Sequence, residues 1–402
     1  MKKLILIFLI FNSFLYSNTL QKAIDNASAY STIKLSTGIF LGKITINKPI
    51  TIIGIDKNVI IKGNNTGTVI TINSSDVTLK NLIITDSGNR MDQLDSGILM
   101  EKVKNVKIDN CKILNSLYGL KMYMTENSII SNNYITSQEN EIGLRGDALK
   151  IWYSNNNIID NNTIDKSRDV TLTYANNNKL LNNTFLNNRF ATHLSLSKNN
   201  LLQNNIYKYN SVSILAMGIH DTNIVNNRIT SSKGAAGIGL VIKGGSNLLF
   251  ENNTVSYNGK GLYLDTKYKE LGMQRYIKNN TISYNGEALH FHISIKNNTI
   301  TNNKIFGNIE DIVQNANVTY LETNIIEYNY WDRYAGFDIN GDNIGDTSHK
   351  VFQYADQIWH NNNKLKFFYA SPILTLMNFV SKLAPFVEPI MMIEDKKPIM
   401  NL

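Results

Sequence analysis

Cysteine is almost missing from this chain of 402 residues: Cys111 stands alone, so no internal disulfide can form. It occupies a slot of an asparagine repeat and reads as a small buried residue rather than a metal ligand. No apolar run is long enough to cross a bilayer. The basic residues form no arm or dense patch. This excludes nucleic acid as the explanation of a net charge of +8 and a pI of 9.1, and leaves open an acidic partner surface or anionic lipid headgroups. Carboxylates do not recur in a cluster, which weighs against a polysaccharide lyase or glycosidase. Only 5 prolines accompany 60 asparagines. So much asparagine ordinarily signals low complexity, but here it alternates with Ile, Leu and Val, as a packed core requires.

The asparagines follow a phrase: apolar residue, spacer, Asn-Asn, spacer, apolar residue. It is clearest at Ile159-Asp160-Asn161-Asn162-Thr163-Ile164 and returns at Asn182-Asn183, Asn204-Asn205, Asn226-Asn227, Asn252-Asn253, Asn279-Asn280 and Asn302-Asn303. The second Asn slot marks 82, 111, 133, 162, 183, 205, 227, 253, 280, 303 and 329, in steps of 21 to 29 residues. A floor near 22 with occasional excess is the pattern of a solenoid with loops inserted in some coils. Short, alternating, β-branched runs such as Ile44-Thr45-Ile46 and Val69-Ile70-Thr71-Ile72 read as strands. They recur too often for helical crossovers. The expectation is an all-β, right-handed parallel β-helix of about 11 coils, roughly 50 Å long at the strand spacing. Asn tolerates left-handed backbone angles at tight bends, and stacked Asn side chains can bond the coils above and below. The phrase is therefore read as frame, not chemistry.

Each Asn pair is followed about nine residues later by a second phrase, as in Ala148-Leu149-Lys150-Ile151-Trp152, Thr192-His193-Leu194-Ser195 and Leu289-His290-Phe291-His292. Alternation sends Leu149, Ile151, Leu262, Leu264, Leu289 and Phe291 inward. It sends Trp152, His193, Ser195, Met217, Tyr263, Asp265, His290 and His292 outward on one face, the candidate working surface. Asp265, with Glu270 and Glu287 nearby, is the nearest this face comes to a carboxylate group.

Residues 1–17 read as a secretory signal: Lys2 and Lys3, then an apolar stretch from Leu4 to Phe11, with cleavage after Ser17 and no lipidation cysteine. The mature protein is expected in the periplasm. Residues 18–31 form a cap helix, 32–335 the β-helix, 336–350 an acidic loop and 351–402 a capping or docking tail. In the loop, Asp338, Asn340, Asp342 and Asp346 alternate around glycines as calcium ligands can, although His349 stands where an EF-hand loop would close with Glu. The alternative is a tight turn capped by its own backbone. In the tail, Ser371 and Pro372 open a short apolar helix that includes Phe379 and ends at Pro385. At about 12 residues it is too short to span a membrane.

Taken together, Gly146-Asp147-Ala148-Leu149-Lys150-Ile151-Trp152-Tyr153-Ser154, Ser167-Arg168-Asp169-Val170, Asn329-Tyr330-Trp331, residues 338–346, and Ser371-Pro372 with Ala384-Pro385-Phe386 resemble the NosD family. These are periplasmic maturation proteins of nitrous oxide reductase. The resemblance implies a non-enzymatic β-helix protein that works with an ABC transporter in assembling the reductase's copper–sulfur centre. It implies as partners the transporter's membrane subunit, the reductase and a copper chaperone, with membrane association through the transporter. Trp152, Tyr263, Ser371, Pro372, Phe379 and Phe386 are the candidate partner contacts. The family pattern around His193 is His, aromatic, Met, Tyr, Ser. Here the Met slot holds Ser195, and the corresponding slot one coil later holds Met217. Cu(I) favours thioether and imidazole donors, so His193 with Met217, His290 with His292, and His220 are the candidate copper ligands. A carbohydrate-binding or polysaccharide-cleaving β-helix protein and a structural surface protein are the alternatives.

Overall fold

The computed structural model describes residues 6–9, 19–138, 141–265, 274–293, 295–315, 323–353, 371–373, 376, 379, 380 and 390–401. Three parallel sheets of 14, 12 and 13 strands run the length of the solenoid, each strand pairing with its equivalent in the next coil. The chain is thus a right-handed parallel β-helix of about 12 turns. The extra turn over the sequence estimate lies near the N-terminus, where coils stack without Asn-Asn phrases and so leave no mark to count. Inward files from all three sheets fill the axis; that of the 14-stranded sheet includes Ile33, Leu79, Ile130, Leu180 and Ile300, all fully buried. Strand alternation puts these side chains inside and leaves the intervening ones on the outer faces.

The two asparagines of the repeated phrase have different tasks. The first, for example Asn132, Asn161, Asn182 or Asn204, sits at a left-handed bend with φ between 54° and 60°. The second is buried. From Asn133 through Asn162, Asn183, Asn205, Asn227, Asn253, Asn280 and Asn303 to Asn329, each backbone N–H and each Nδ2 donates to Oδ1 of the next. The remaining Nδ2 hydrogen goes to a strand carbonyl on the other side, as from Asn162 to Ile130 at 2.8 Å and from Asn280 to Phe250 at 2.9 Å. Cys111 takes the rung before Asn133, donating its backbone N–H to Asn133 Oδ1. Its thiol is buried, and burial pushes it up to about 12, as expected of a small core residue.

Both ends of the solenoid are closed by polar side chains as well as apolar ones. At the N-terminal end α1 (Thr19–Asn26) buries Leu20 and Ile24. Its Gln21 accepts from the Thr45 N–H at 2.8 Å and donates to the Thr45 carbonyl at 3.1 Å, completing an edge strand. The stretch Leu6–Leu9, within the segment read as a signal, runs parallel beside Thr32–Leu35 on the 14-stranded sheet. At the other end a strand at His349–Gln353 pairs antiparallel with one at Ile390–Asp395. Met392 and Ile393 plug the core, and Asp395 ends the asparagine ladder. Its Oδ2 accepts from the Asn329 N–H at 3.1 Å, Asn329 Nδ2 at 2.9 Å and Trp331 Nε1 at 2.9 Å. Asp395→Leu strands three buried donors and is expected to lower stability by about 3 kcal/mol or more, whereas Asp395→Asn, which keeps an acceptor oxygen, costs about 1 kcal/mol. Denaturant titrations of the two variants check this; equal losses would remove the carboxylate from its place in the ladder.

Candidate functional site

The outward face of the 12-stranded sheet is organised by register. One file runs Lys150, Thr171, His193, Leu215, Val241, Tyr263, His290 and Val313. The next, two residues along each strand, runs Trp152, Thr173, Ser195, Met217, Lys243 and Asp265. His193 is therefore beside Leu215, and Met217 beside Ser195, so His193 and Met217 are diagonal neighbours on adjacent coils. Strand spacing and rise separate their Cα atoms by roughly 8 Å. Nε2 of His193 is buried and has no hydrogen-bond partner. Burial lowers the pKa of this imidazole, with Asp169 opposing, so the ring is neutral at pH 7 with a lone pair to offer. Met217 packs against a group that alternation alone does not reveal. Val212, Leu215 and Val241 form a second apolar cluster on the outer face, flanked by Phe190, Met217, Ile238 and Tyr263. The signal in the sequence is the loss of alternation at residues 212–217 and 238–242, where both faces are apolar.

His290 and His292 both lie against Tyr263, with ring centroids 4.8 Å and 5.8 Å away. His290 is buried, and its Nδ1 meets the Glu287 carboxylate and, at 3.1 Å, Lys260 Nζ. Lys260 also pairs with Glu287. Burial opposes ionisation of Glu287, but the His290 hydrogen bond and the Lys260 charge outweigh it and hold the carboxyl far below its ordinary value. An ammonium beside the ring makes this pair a poorer cation site than alternation suggests. His220 lies apart in the turn beyond Met217, its Nδ1 2.8 Å from Ser246 Oγ. Of the carboxylates expected near Asp265, Glu287 is tied up in this way, and Glu270 lies outside the described residues.

Sequence reasoning singled out Gly146-Asp147 and Arg168-Asp169 only as matching stretches, yet they bring two buried carboxylates together on this face. Asp147 and Asp169 are both buried. Asp169 grips Arg189, accepting from Nε at 3.0 Å, and also takes the Phe190 N–H at 3.1 Å. Asp147 accepts from Thr171 Oγ1 at 3.1 Å and has Lys150 Nζ 3.7 Å and Arg168 Nε 3.6 Å away. The two carboxylates and three cations form a network across three coils, not a free acid–base pair.

In the acidic loop, Asp338 accepts from the Gly341, Asp342 and Asn343 N–H groups at 2.7, 3.2 and 2.9 Å. Asn340 and Asp342 bond each other and the loop backbone, and Asp346 accepts from the Ile339 N–H at 2.6 Å. The oxygens proposed for calcium thus serve the loop's own backbone, and calcium finds no support. Among the described residues no group of three His, Cys, Asp or Glu side chains is placed to hold a metal. Trp152 is exposed beside Tyr123 and Tyr153. In the tail Ser371 is half-buried and Pro372 and Phe379 are exposed, while Phe386 lies outside the described residues. No helix among the described residues is long and apolar enough to cross a membrane.

Two family descriptions match the chain: "Periplasmic copper-binding protein (NosD)" over residues 137–336 and "Right handed beta helix region" over residues 24–149. No curated protein matches. Among solved structures, the chain is similar to the A-module of Azotobacter vinelandii mannuronan C-5 epimerase AlgE6, with 15% identity and a TM-score of 0.63 over 77% of this chain and 93% of that one. It is also similar to the catalytic domain of a GH87 α-1,3-glucanase, with 16% identity, TM-score 0.57, and 75% and 65% covered. The N-terminal fragment of bacteriophage Phi29 gene product 12 gives 13% identity, TM-score 0.52, and 75% and 68% covered. At such identities these likenesses speak for the fold alone.

Burial, reinforced by the Asp169 charge, raises the Asp147 carboxyl from 3.8 to about 6. Its folded value lies above its unfolded one, so its contribution to stability is complete below 3.8 and is lost as pH rises through about 6. Asp147→Asn removes that loss. The variant is expected to be more stable at pH 7, by on the order of 2 kcal/mol, and to show a flatter stability profile between pH 4 and 6 in denaturant titrations across pH.

Proposed function

Since the chain is a NosD-family β-helix protein, we propose that it is a non-enzymatic periplasmic accessory protein for assembly of the copper–sulfur centre of nitrous oxide reductase. It acts with an ABC transporter, whose membrane subunit it meets. The observation that carries the reading is the span of the family match, residues 137–336, which takes in the coils bearing His193 and Met217. Copper is cargo here. His193 supplies a neutral imidazole with an unengaged, buried Nε2, and Met217 supplies a thioether one coil on. Two soft donors suit Cu(I), and so small a set releases the ion readily to an acceptor with more ligands. The exposed apolar residues Ile373, Leu376, Phe379 and Val380 of the tail suit a contact with the transporter.

Deleting the gene is expected to leave the reductase polypeptide exported but without its catalytic copper cluster, read by metal analysis and visible absorption of the purified reductase. A normal cluster in the deletion strain would end the proposal. Within the chain, His193→Ala combined with Met217→Leu, which keeps the apolar volume, is expected to weaken Cu(I) binding at least about tenfold, some 1.4 kcal/mol. A competition titration with a chromogenic Cu(I) chelator measures this, with circular dichroism showing the fold intact; unchanged affinity would remove both residues from the copper path.

A further inference from the structure

Four consecutive coils place a large apolar side chain in one corner slot, just after the 12-stranded sheet: Met124, Tyr153, Tyr174 and Leu196. Each N–H in the slot bonds a carbonyl one coil on, at Trp152, Thr173, Ser195 and Met217, so the positions are equivalent. All four have left-handed backbones, with φ of 50°, 48°, 50° and 48°, a conformation that disfavours any residue with a Cβ. All four are exposed, at 43%, 43%, 40% and 53%. The slot does not require bulk: the next coils fill it with Gly218 and Gly244, at φ of 56° and 68°. Four adjacent coils thus accept both an unfavourable backbone and apolar surface in water; on another corner the stacked pair Tyr257 and Tyr284 does so over two coils, and it is the length of the strip from Met124 to Leu196 that marks a place held for function.

Trp152, 39% exposed, broadens the strip. Its ring lies 5.5 Å from Tyr153, which stacks on Tyr174 at 4.9 Å and 8°. With about 200 Å² per side chain, the exposed apolar surface is roughly 400 Å², the size of the apolar centre of a protein interface. The rings are pre-ordered by stacking, so little side-chain entropy remains to be lost on contact. On the strip's own coils and the coil before it stand Lys102, Lys104, Lys121, Lys150 and Lys198 against Glu101, Glu126 and Asp147, with Lys104 paired to Glu126 and Lys150 facing Asp147. Five cations and three anions leave a rim of +2.

We propose that this strip is the docking surface for a folded protein partner that presents an apolar patch within an acidic rim. A second copy of this chain would bring the same basic rim against itself. A sugar ring would need an open aromatic face; stacking covers one face of Tyr153 and one of Tyr174, and Trp152 stands 5.5 Å from Tyr153. The surface is distinct from His193 and Met217, and it stands whether or not the partner handles copper.

The test places a photo-crosslinking amino acid at Tyr153 or Tyr174 in the full chain in cells, with Tyr257, an exposed left-handed tyrosine on another corner, as control. Adducts are identified by mass spectrometry, and the identified protein is purified and titrated against the wild type and against Tyr153→Asn with Tyr174→Asn. Asparagine is the residue this rod already uses at left-handed bends, so the variant keeps its fold. The expected result is one protein partner crosslinked at the strip and not at Tyr257, with binding that weakens as salt rises and falls at least about tenfold in the variant. Adducts only with this chain, equal adducts at Tyr257, unchanged affinity in the variant, or cosedimentation with phosphatidylglycerol vesicles that the variant loses would each overturn it. A partner unrelated to copper would overturn the proposed function and leave the docking surface standing.

Discussion

From Cys111 onward this rod hangs on the hydrogen bond from one asparagine to the next. A solenoid corner buries backbone N–H groups where no strand partner exists, and a buried donor left unpaired costs about 1–3 kcal/mol. The ladder from Asn133 to Asn329 answers this with the backbone N–H and Nδ2 of each rung both accepted by the next Oδ1. Because every bond points the same way, only the last rung is left with donors and no acceptor. Asp395 supplies that acceptor from 66 residues further along the chain. Burial raises its pKa, and the hydrogen bonds from Trp331 and Asn329 pull it back. The carboxylate is tolerated there because the donors of the ladder converge on it.

This frame explains what can and cannot be read from the letters. Asn161-Asn162 discloses the coil period, the bend and the inward direction of the neighbouring Ile159 and Ile164, because local geometry restricts each of those slots to a few residue types. Register follows from the period, so the placement of Ser195 beside Met217 is legible too. Packing across the outer face is not. Nothing local marks Leu215 and Val241 as buried on the outside, since that depends on their neighbours in adjacent coils. Nor does alternation show that His290 points outward and is still enclosed, with Lys260 and Glu287 brought to it from two other positions. The acidic loop shows a third kind of ambiguity. Oxygens spaced for a cation and oxygens spaced for backbone N–H groups look the same in sequence, and in the fold Asp338 and Asp346 take the second use.

The outer face of the 12-stranded sheet is divided by chemistry along the axis. Basic and acidic side chains neutralise one another around Asp147 and Asp169, aliphatic residues close over one another at Leu215 and Val241, and a second ion-paired group surrounds Glu287. His193 and Met217 sit at the edge of the apolar middle, where burial keeps the imidazole neutral. The corner strip from Met124 to Leu196 borders the same coils. A soft-donor pair and a rigid apolar edge therefore share one stretch of the rod, while the tail lies at its far end.

Gln21 and Asp395 close the two ends, and neither depends on how many identical rungs lie between them. A whole coil can be added or removed in the middle, and the ladder simply gains or loses a step of roughly 4.8 Å. The solenoid is in this sense a ruler with fixed end-pieces. The separation between whatever grips the tail and whatever meets the outer face can be adjusted in whole-rung increments while both contact chemistries stay as they are.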